Sequence, residues 1–157
     1  MDLTDFLRTG IYLGLKVELP EKEIYSIFQK KDLGKKYYFD KFKKSEGFSY
    51  FYDSLEIMVV NSKIYSIGFD LARHPVTLLN NIIIYSETSF ELIMKYLDIA
   101  DINWSFEKQY CYSRELTIKT EGNVLIGCVY DKGNYWLSKF KTLQKVKGDF
   151  LLFDCTI

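Results

Sequence analysis

The sequence predicts an α+β fold in which two αβββ-like repeats share one antiparallel sheet, with the helices packed on one face of it. One layout occurs twice: two apolar, alternating runs with a turn between them, preceded by a helical pattern. Shifting the sequence by 61 positions, from Leu55 to Leu116, aligns the two occurrences, and Asn61-Ser62 then falls on Gly122-Asn123. Duplication of one unit and convergence of two ordinary β-hairpins both account for this pattern.

The chain length predicts a single domain composed of two halves. A chain of 157 residues is within the usual size of one domain. We expect the first half over residues 11–70 and the second over residues 82–131. Residues 132–157 are then a C-terminal extension that completes the sheet.

The first elements follow from the spacing of apolar residues. Leu3–Leu7 predicts a short helix, and apolar alternation over residues 11–19 predicts a strand. Pro20 suits a first helical position, so a helix is expected from there to about Lys31, with Gly34 at its end.

A β-hairpin is expected next, after an aromatic and lysine-rich stretch over residues 36–52 that also favours strands. Its strands are Leu55–Val60 and Ile64–Phe69, joined by the three-residue loop Asn61-Ser62-Lys63. A loop with an odd number of residues keeps the apolar side chains of both strands on one face, whereas a slip of one residue would mix them with polar ones.

The second half begins with the clearest helix of the sequence. Thr88-Ser89-Phe90-Glu91 matches a capping box ahead of an apolar helical stripe that includes Ile93 and Leu97. The strands that follow are expected near Asn103–Glu107, Gln109–Ile118 and Val124–Tyr130. In the tail, Trp136, Phe140 and Leu143 have helical spacing, while Phe150–Phe153 favours a final strand.

The register argument assigns residues to the two faces of the sheet. The face toward the helices is predicted to hold Leu55, Ile57, Val59, Tyr65, Ile67, Phe69, Leu116, Ile118, Ile126, Cys128 and Tyr130. The opposite, open face is predicted to hold Ser54, Glu56, Met58, Ser66, Gly68, Glu115, Thr117, Lys119, Gly127 and Asp131.

Charge is balanced overall but is segregated along the chain. There are 21 basic and 21 acidic residues, so no global field draws the protein toward nucleic acid or membrane. Residues 30–44 carry a net charge of +5, and residues 86–107 carry −4. The acidic segment contains Glu87, Glu91, Asp98 and Asp101.

The residues needed for common catalytic or metal sites are scarce. His74 is the only histidine and adjoins Pro75, as expected for an exposed loop. No zinc-type, HExxH or phosphate-loop motif is present. Asp53 with Glu56, or Glu87 with Glu91, could act as a carboxylate pair, but surface charge and capping explain them more simply. We expect no catalytic residue, no metal and no cofactor.

The cysteines and the N-terminus favour a cytoplasmic location. Cys111, Cys128 and Cys155 are odd in number, widely spaced and set in apolar patterns, as reduced buried thiols are. No secretory signal and no membrane-spanning stretch is evident, so no membrane partner is expected.

The segment Lys35–Lys44 alternates lysine with aromatic residues. Such a segment could bind single-stranded nucleic acid, with lysines near phosphates and rings stacked on bases. The simpler interpretation is an edge strand whose aromatic residues lie in the core and whose lysines discourage unwanted pairing.

The run Tyr52-Asp53-Ser54-Leu55-Glu56-Ile57, a short turn, and Ile64-Tyr65-Ser66-Ile67 resembles repeats of beta-lactamase inhibitor protein, the small outer-membrane assembly lipoproteins and many bacterial toxin-immunity proteins. The resemblance covers roughly residues 11–131. It implies a tandem helix-on-sheet binder whose open sheet face contacts a protein partner.

The function expected from this resemblance is that of a cytoplasmic bacterial immunity protein that neutralises a toxin domain. The partner-binding residues are then Glu56, Met58, Glu115, Thr117, Lys119 and Asp131 on the open face, together with Glu87, Glu91, Asp98 and Asp101. The acidic residues suit a basic partner such as a nuclease domain. A single-stranded nucleic-acid-binding module that uses Lys35–Lys44 is the alternative.

Overall fold

The computed structural model describes residues 1–144 of the chain. Within that range the strands are β1 (Tyr37–Tyr38), β2 (Phe48–Tyr52), β3 (Leu55–Val60), β4 (Lys63–Asp70), β5 (Val76–Leu78), β6 (Ile82–Ile84), β7 (Trp104–Phe106), β8 (Glu115–Thr120), β9 (Leu125–Asp131) and β10 (Asn134–Leu143). The α-helices of the same range are α1 (Thr4–Thr9), α2 (Ile24–Ile27), α3 (Lys30–Leu33) and α4 (Phe90–Ile99).

Most of these strands belong to one antiparallel sheet in the order β1-β2-β3-β4-β10-β9-β8-β7. Strands β5 and β6 form a separate two-stranded sheet. Because β10 pairs with both β4 and β9, it joins the two predicted hairpins within the same sheet. The prediction of a mixed fold with a large antiparallel sheet is confirmed.

The core lies between one face of this sheet, called the inner face here, and the helices. Inner-face residues Leu55, Ile57 and Ile118 are fully buried, as predicted, whereas Leu116 is half-buried. The helical and helix-flanking residues in the same core are Leu3, Phe6, Leu7, Ile24, Leu33, Ile93 and Leu97. Burying one large apolar side chain contributes about 1.5–3 kcal/mol, so this contact is the main source of stability.

The loop of the first hairpin is shorter than predicted. Lys63 pairs with Val60, which leaves a two-residue turn of Asn61 and Ser62, both with positive φ as a type I′ turn requires. A bulge at Tyr65 then shifts the pairing by one residue and restores the expected register, so that Ile57 pairs with Ile67. Tyr65 itself leaves the predicted inner face.

The second hairpin has the predicted odd loop. Thr120 donates its backbone N–H to the carbonyl of Val124, which encloses three residues, and Asn123 has a positive φ. Ile118 therefore pairs with Ile126 on the inner face. Both hairpins place their apolar side chains on the predicted face, although their turns differ in length.

The predicted strand over residues 11–19 is wrong. The chain reverses at Leu13-Gly14, both with positive φ, and Tyr12 pairs with Leu15 as an isolated bridge. Ile11 and Leu13 are exposed, while Tyr12 is buried against Phe6 and Phe69. The apolar alternation predicts a straight strand, whereas Gly14 adopts a positive φ and permits a turn that reverses the chain.

The continuous helix expected from Pro20 to Lys31 is also wrong. A 3₁₀ turn over Glu21–Glu23 leads into α2, and Phe28 then adopts an extended conformation before α3 begins. Only Ile24 of α2 is fully buried, and Ile27 is exposed rather than packed on the sheet. Gly34, which was expected to end the continuous helix, instead ends the separate helix α3 with a positive φ.

Helix α4 forms over the predicted residues and buries Ile93 and Leu97. Its N-cap is Ser89, whose hydroxyl accepts the Leu92 N–H, rather than the first residue of the capping-box pattern. The strand expected over Gln109–Ile118 is shorter, because a 3₁₀ turn occupies Lys108–Tyr110 before β8 begins.

The tail forms a strand over residues 134–143 and not a helix. Strand β10 has a bulge at Ser138, since Leu137 pairs with Cys128 and Lys139 pairs with Gly127. The bulge shifts the phase of burial, so Leu137 and Phe140, three residues apart, both face the core. Of the predicted helical stripe only Phe140 faces the core, whereas Trp136 and Leu143 are half-buried and pair with Val129 and Ser66 of the outer face. The strand predicted over residues 150–153 lies outside the described residues.

Candidate binding surface

The side of the main sheet that faces away from the helices is called the outer face here. Glu56 and Met58 lie on it in β3, next to Ser49 of β2 and Ser66 of β4. Both serines are buried, because their short side chains lie between longer neighbours on adjoining strands. The buried side chains of the described helices belong to the core on the inner face, so no described helix packs on the outer face. Two residues of the outer face are nevertheless buried, since Thr117 is 6% and Leu125 7% exposed.

The strand register places the predicted sheet-face residues on the outer face, in two groups. Glu56 and Met58 are on β3, whereas Glu115, Thr117 and Lys119 are on β8. Strands β4, β10 and β9 separate them, so the groups lie about 19 Å apart at the usual strand spacing. The structure therefore divides the predicted site between two ends of one face.

Several charged groups of this face already have partners within the chain. The Ser49 hydroxyl donates to Glu56 at 2.6 Å. Lys119 Nζ donates to Glu107 at 2.6 Å, and Arg114 lies 3.4 Å from Asp131. Near β8 and β9, a partner protein would have to compete with these pairs.

The predicted acidic residues lie on the helix side of the sheet. Glu91 and Asp98 are exposed on α4, and Asp101 follows that helix with a positive φ. Glu87 is the exception, because it lines a cleft of about 440 Å³ together with Asp131 and Trp136. Apart from that cleft, the structure does not bring the acidic segment together with the outer face.

The aromatic residues of Lys35–Lys44 are exposed, so the expectation that they lie in the core is wrong. Tyr37 is 47% exposed, Phe39 42% and Phe42 98%. Strand β1 has only two residues, after which the chain turns away from the sheet. The lysines do lie at the sheet edge, as expected, and Lys35 and Lys44 extend over the rings of Tyr37 and Tyr38 at 5.1 and 5.3 Å.

A hydrogen-bond cluster fixes the start of this segment to the sheet. Oε1 of Glu21 accepts from Tyr25 at 2.6 Å, Lys36 at 2.8 Å and Tyr50 at 3.1 Å. Burial acts to raise the pKa of the Glu21 carboxyl, but these donors outweigh it and hold the pKa below its ordinary value. Burial and the carboxylate raise the pKa of Tyr50. Local sequence patterns could not identify this cluster, because Lys36 and Tyr50 are distant from Glu21 in the chain.

Among residues 1–144, the two thiols and the histidine lie apart from one another in different environments. Burial raises the pKa of the Cys128 thiol to about 12. Cys111 is half-buried, and its sulfur donates to the carbonyls of Glu107 and Thr117. His74 is exposed, in the predicted loop. Within residues 1–144 no three His, Cys, Asp or Glu residues cluster closely enough to hold a metal ion, and Cys155 lies outside the described residues.

No protein-family model matches the sequence, and no curated protein or solved structure is detectably similar to it. Among the helices of residues 1–144, none has both the length and the apolar character needed to cross a membrane.

Proposed function

We propose that this protein is a non-catalytic binding protein that neutralises a protein partner, as bacterial immunity proteins neutralise toxin domains. The observation that carries this proposal is the open outer face of the eight-stranded sheet. The helices stabilise the sheet from one side, and the other side is left with an array of polar, small and a few larger apolar residues. This layout suits a docking surface rather than a reaction centre.

A rigid surface supports such a role. Central strands β3, β4 and β10 are paired on both sides, so the backbone of the outer face is fixed before a partner arrives. Preorganisation reduces the conformational entropy lost on binding. Charges of both signs on this face would restrict docking to a complementary partner.

The same proposal includes the two-repeat origin and the cytoplasmic location. The two hairpins occupy matching positions 61 residues apart and share a sheet, as a duplicated unit would. The buried Cys128 is a free thiol, as in a reducing compartment.

The proposal is tested by co-expression with the toxin domain encoded beside this gene. We expect the wild-type chain to restore growth and to form a complex with the purified domain. The paired charge reversal Glu56→Lys with Glu115→Lys should weaken both, because the outer face would no longer match its partner. Unchanged thermal unfolding would show that the variant still folds.

The matched variant reverses Glu91 and Asp98 on α4. Rescue that survives the outer-face changes but is lost in this variant would place the interface on the helix side, where a basic nuclease domain would be the suitable partner. If the wild-type chain neutralises no adjacent toxin, the proposed function is wrong.

A further inference from the structure

A cleft of about 440 Å³ lies beside the hairpin of β9 and β10. The residues that line it come from this hairpin and from the segment before α4, and they are Ser86, Glu87, Val129, Asp131, Lys132 and Trp136. Val129 pairs with both Glu115 and Trp136, which places it and Trp136 on the outer face. The cleft therefore combines a residue of the acidic segment with residues of the outer face.

Backbone hydrogen bonds fix the two sides of the cleft relative to each other. The Leu137 N–H donates to the Thr88 carbonyl at 2.9 Å, so the segment before α4 runs beside β10. The Thr88 N–H donates to the Tyr85 carbonyl at 2.9 Å, which places Glu87 in a tight turn next to the hairpin. The cleft is thus formed before a ligand binds, and binding costs little conformational entropy.

Trp136 lies between the two sides. It pairs with Val129 on β9 and forms an isolated bridge with Ser89 on the other side. Its indole N–H donates to the Asp131 carbonyl at 3.0 Å, so the polar edge of the ring is already used within the hairpin. The ring is half-buried and Val129 is exposed, so the two side chains offer a ligand an aromatic and apolar surface.

Two carboxylates accompany this surface, and each has one oxygen with a partner in the chain. The Ser86 hydroxyl donates to Oε2 of Glu87 at 3.0 Å, and an Arg114 nitrogen lies 3.4 Å from Oδ1 of Asp131. Within residues 1–144, the second oxygen of each carboxylate accepts no hydrogen bond. These two oxygens are acceptors that a donor entering the cleft can use.

The cations near the cleft leave room for another one. Arg114 is not among the lining residues, and its guanidinium donates twice to the Tyr130 carbonyl, at 2.9 and 2.6 Å. Lys132 does line the cleft, but it is exposed at the tip of the hairpin. Its long side chain can extend into water when a cation enters.

A planar cation with an apolar stem suits this combination of groups. A guanidinium stacks on an aromatic ring and donates to carboxylates with its several N–H groups, whereas a lysine ammonium is a compact charge that does neither as well. The methylene stem of an arginine would contact Val129. Asp131 already has a guanidinium beside one of its oxygens, that of Arg114.

We propose that this cleft receives an arginine side chain of the protein partner, which stacks on Trp136 and donates to Glu87 and Asp131. The inference rests on the proposed function and names the chemistry that the partner presents. Arginine is among the residues that most often carry the binding energy of an interface. Glu87 thereby has a role on the outer face that Glu91 and Asp98 of α4 do not share.

The first test uses the full chain without a toxin. The sequence has two tryptophans, so a nitrogen–proton correlation spectrum contains two indole resonances. Titration with N-acetylarginine amide should shift the Trp136 resonance and leave that of Trp104 unchanged, because Trp104 is on β7 at the far edge of the sheet. N-acetylcitrulline amide is the matched probe, since it has nearly the same shape without the charge, and it should cause no shift.

The second test removes the two carboxylates. Glu87→Gln with Asp131→Asn should weaken binding of the arginine probe, and of the toxin domain in a calorimetric titration, by about tenfold or more. Glu91→Gln with Asp98→Asn on α4 is the matched control and should bind both as the wild-type chain does. Thermal unfolding of the two double variants should match the wild-type chain, since all four side chains are exposed.

Each other outcome overturns the inference. An equal shift with the citrulline probe, or a shift that persists in the cleft variant, would show that the cleft does not recognise the positive charge. A shift with sodium acetate in place of the arginine probe would make the cleft an anion site at Lys132. Unchanged toxin affinity of the cleft variant would place the interface elsewhere, although the proposed function stands. If the wild-type chain neutralises no adjacent toxin, the proposed function and this inference fail together.

Discussion

At the scale of single residues, Ser54 is an exception to the rule that buried polar groups are hydrogen-bonded. Its side chain is 1% exposed, and its hydroxyl has no hydrogen-bond partner among the described residues. A buried hydroxyl without a partner carries a desolvation penalty that nothing offsets. Ser54 had been expected on the open face, but it lies in the tight turn between β2 and β3, where the chain covers it.

We expect Ser54→Ala to leave the free energy of unfolding unchanged or to raise it by up to about 1 kcal/mol. The matched control is Ser66→Ala, which removes a hydroxyl that donates to the Thr142 carbonyl at 2.6 Å and should lower the free energy by about 1 kcal/mol. Urea unfolding measures both. An equal loss in the two variants would show that the Ser54 hydroxyl has a partner.

Glu21 makes stability depend on pH. Its folded pKa lies below the ordinary value of 4.5, so the charged form is favoured by folding. The stabilisation is present above that ordinary value and is lost as the pH falls through the folded pKa. Glu21→Gln should thus be less stable than the wild-type chain at neutral pH, by about 1–3 kcal/mol.

The difference between these two chains should narrow as the pH is lowered below 4.5. Urea unfolding at several pH values measures it. A difference that stays constant down to the acid limit would mean that the Glu21 carboxylate is not stabilised by Lys36, Tyr25 and Tyr50.

At the scale of elements, α1 is held against the turn between β8 and β9. The Thr120 hydroxyl donates to the Leu7 carbonyl at 2.6 Å. A Cβ placed on Gly122 would lie 2.6 Å from the Gly10 nitrogen and 2.7 Å from the Leu7 oxygen, both in the backbone. Only glycine allows this approach.

Gly122→Ala should therefore lower the free energy of unfolding by about 1–3 kcal/mol, because the helix must move away from the turn. Gly127→Ala is the control, since its added methyl group would meet Lys139 at an ordinary 3.7 Å. Thermal unfolding measures both variants. Equal stability of the two would show that α1 does not pack this closely.

The helices and strands also show how much of the fold could be predicted from sequence patterns. The hairpin strands and α4 were predictable because their apolar period persists over several residues and ends at a cap or turn. The pattern failed where one residue breaks the period. Gly14 permits a reversal where a strand was expected, and the helical spacing of Trp136, Phe140 and Leu143 occurs in a segment that forms the bulged strand β10.

The candidate site was predictable only in part. Alternation alone placed Glu56 and Lys119 on the outer face, but strand order, which separates them, depends on long-range pairing that local patterns do not encode. The exposure of Phe42 was missed for a related reason. It follows from the Asp40 turn and from the shortness of β1, neither of which an aromatic-rich composition indicates.

At the scale of the whole molecule, the basic segment Lys35–Lys44 raises the alternative of a nucleic-acid-binding module. We expect the purified protein not to bind a single-stranded oligonucleotide at physiological salt, because the exposed rings of Tyr37 and Tyr38 are on opposite faces of β1. Fluorescence anisotropy measures this. Tight binding that weakens with salt, and that is lost when Lys35, Lys36, Lys43 and Lys44 are changed to Ser, would instead favour the nucleic-acid module.

The position of β10 has a consequence for synthesis of the chain. It is the last of the described strands to leave the ribosome, yet it lies between β4 and β9 in the finished sheet. Until it is made, each half of the sheet ends in an unpaired edge that can pair with another chain. The edge of β4 therefore stays unpaired while residues 71–133 are synthesised, and a message truncated before codon 134 should yield an aggregation-prone product.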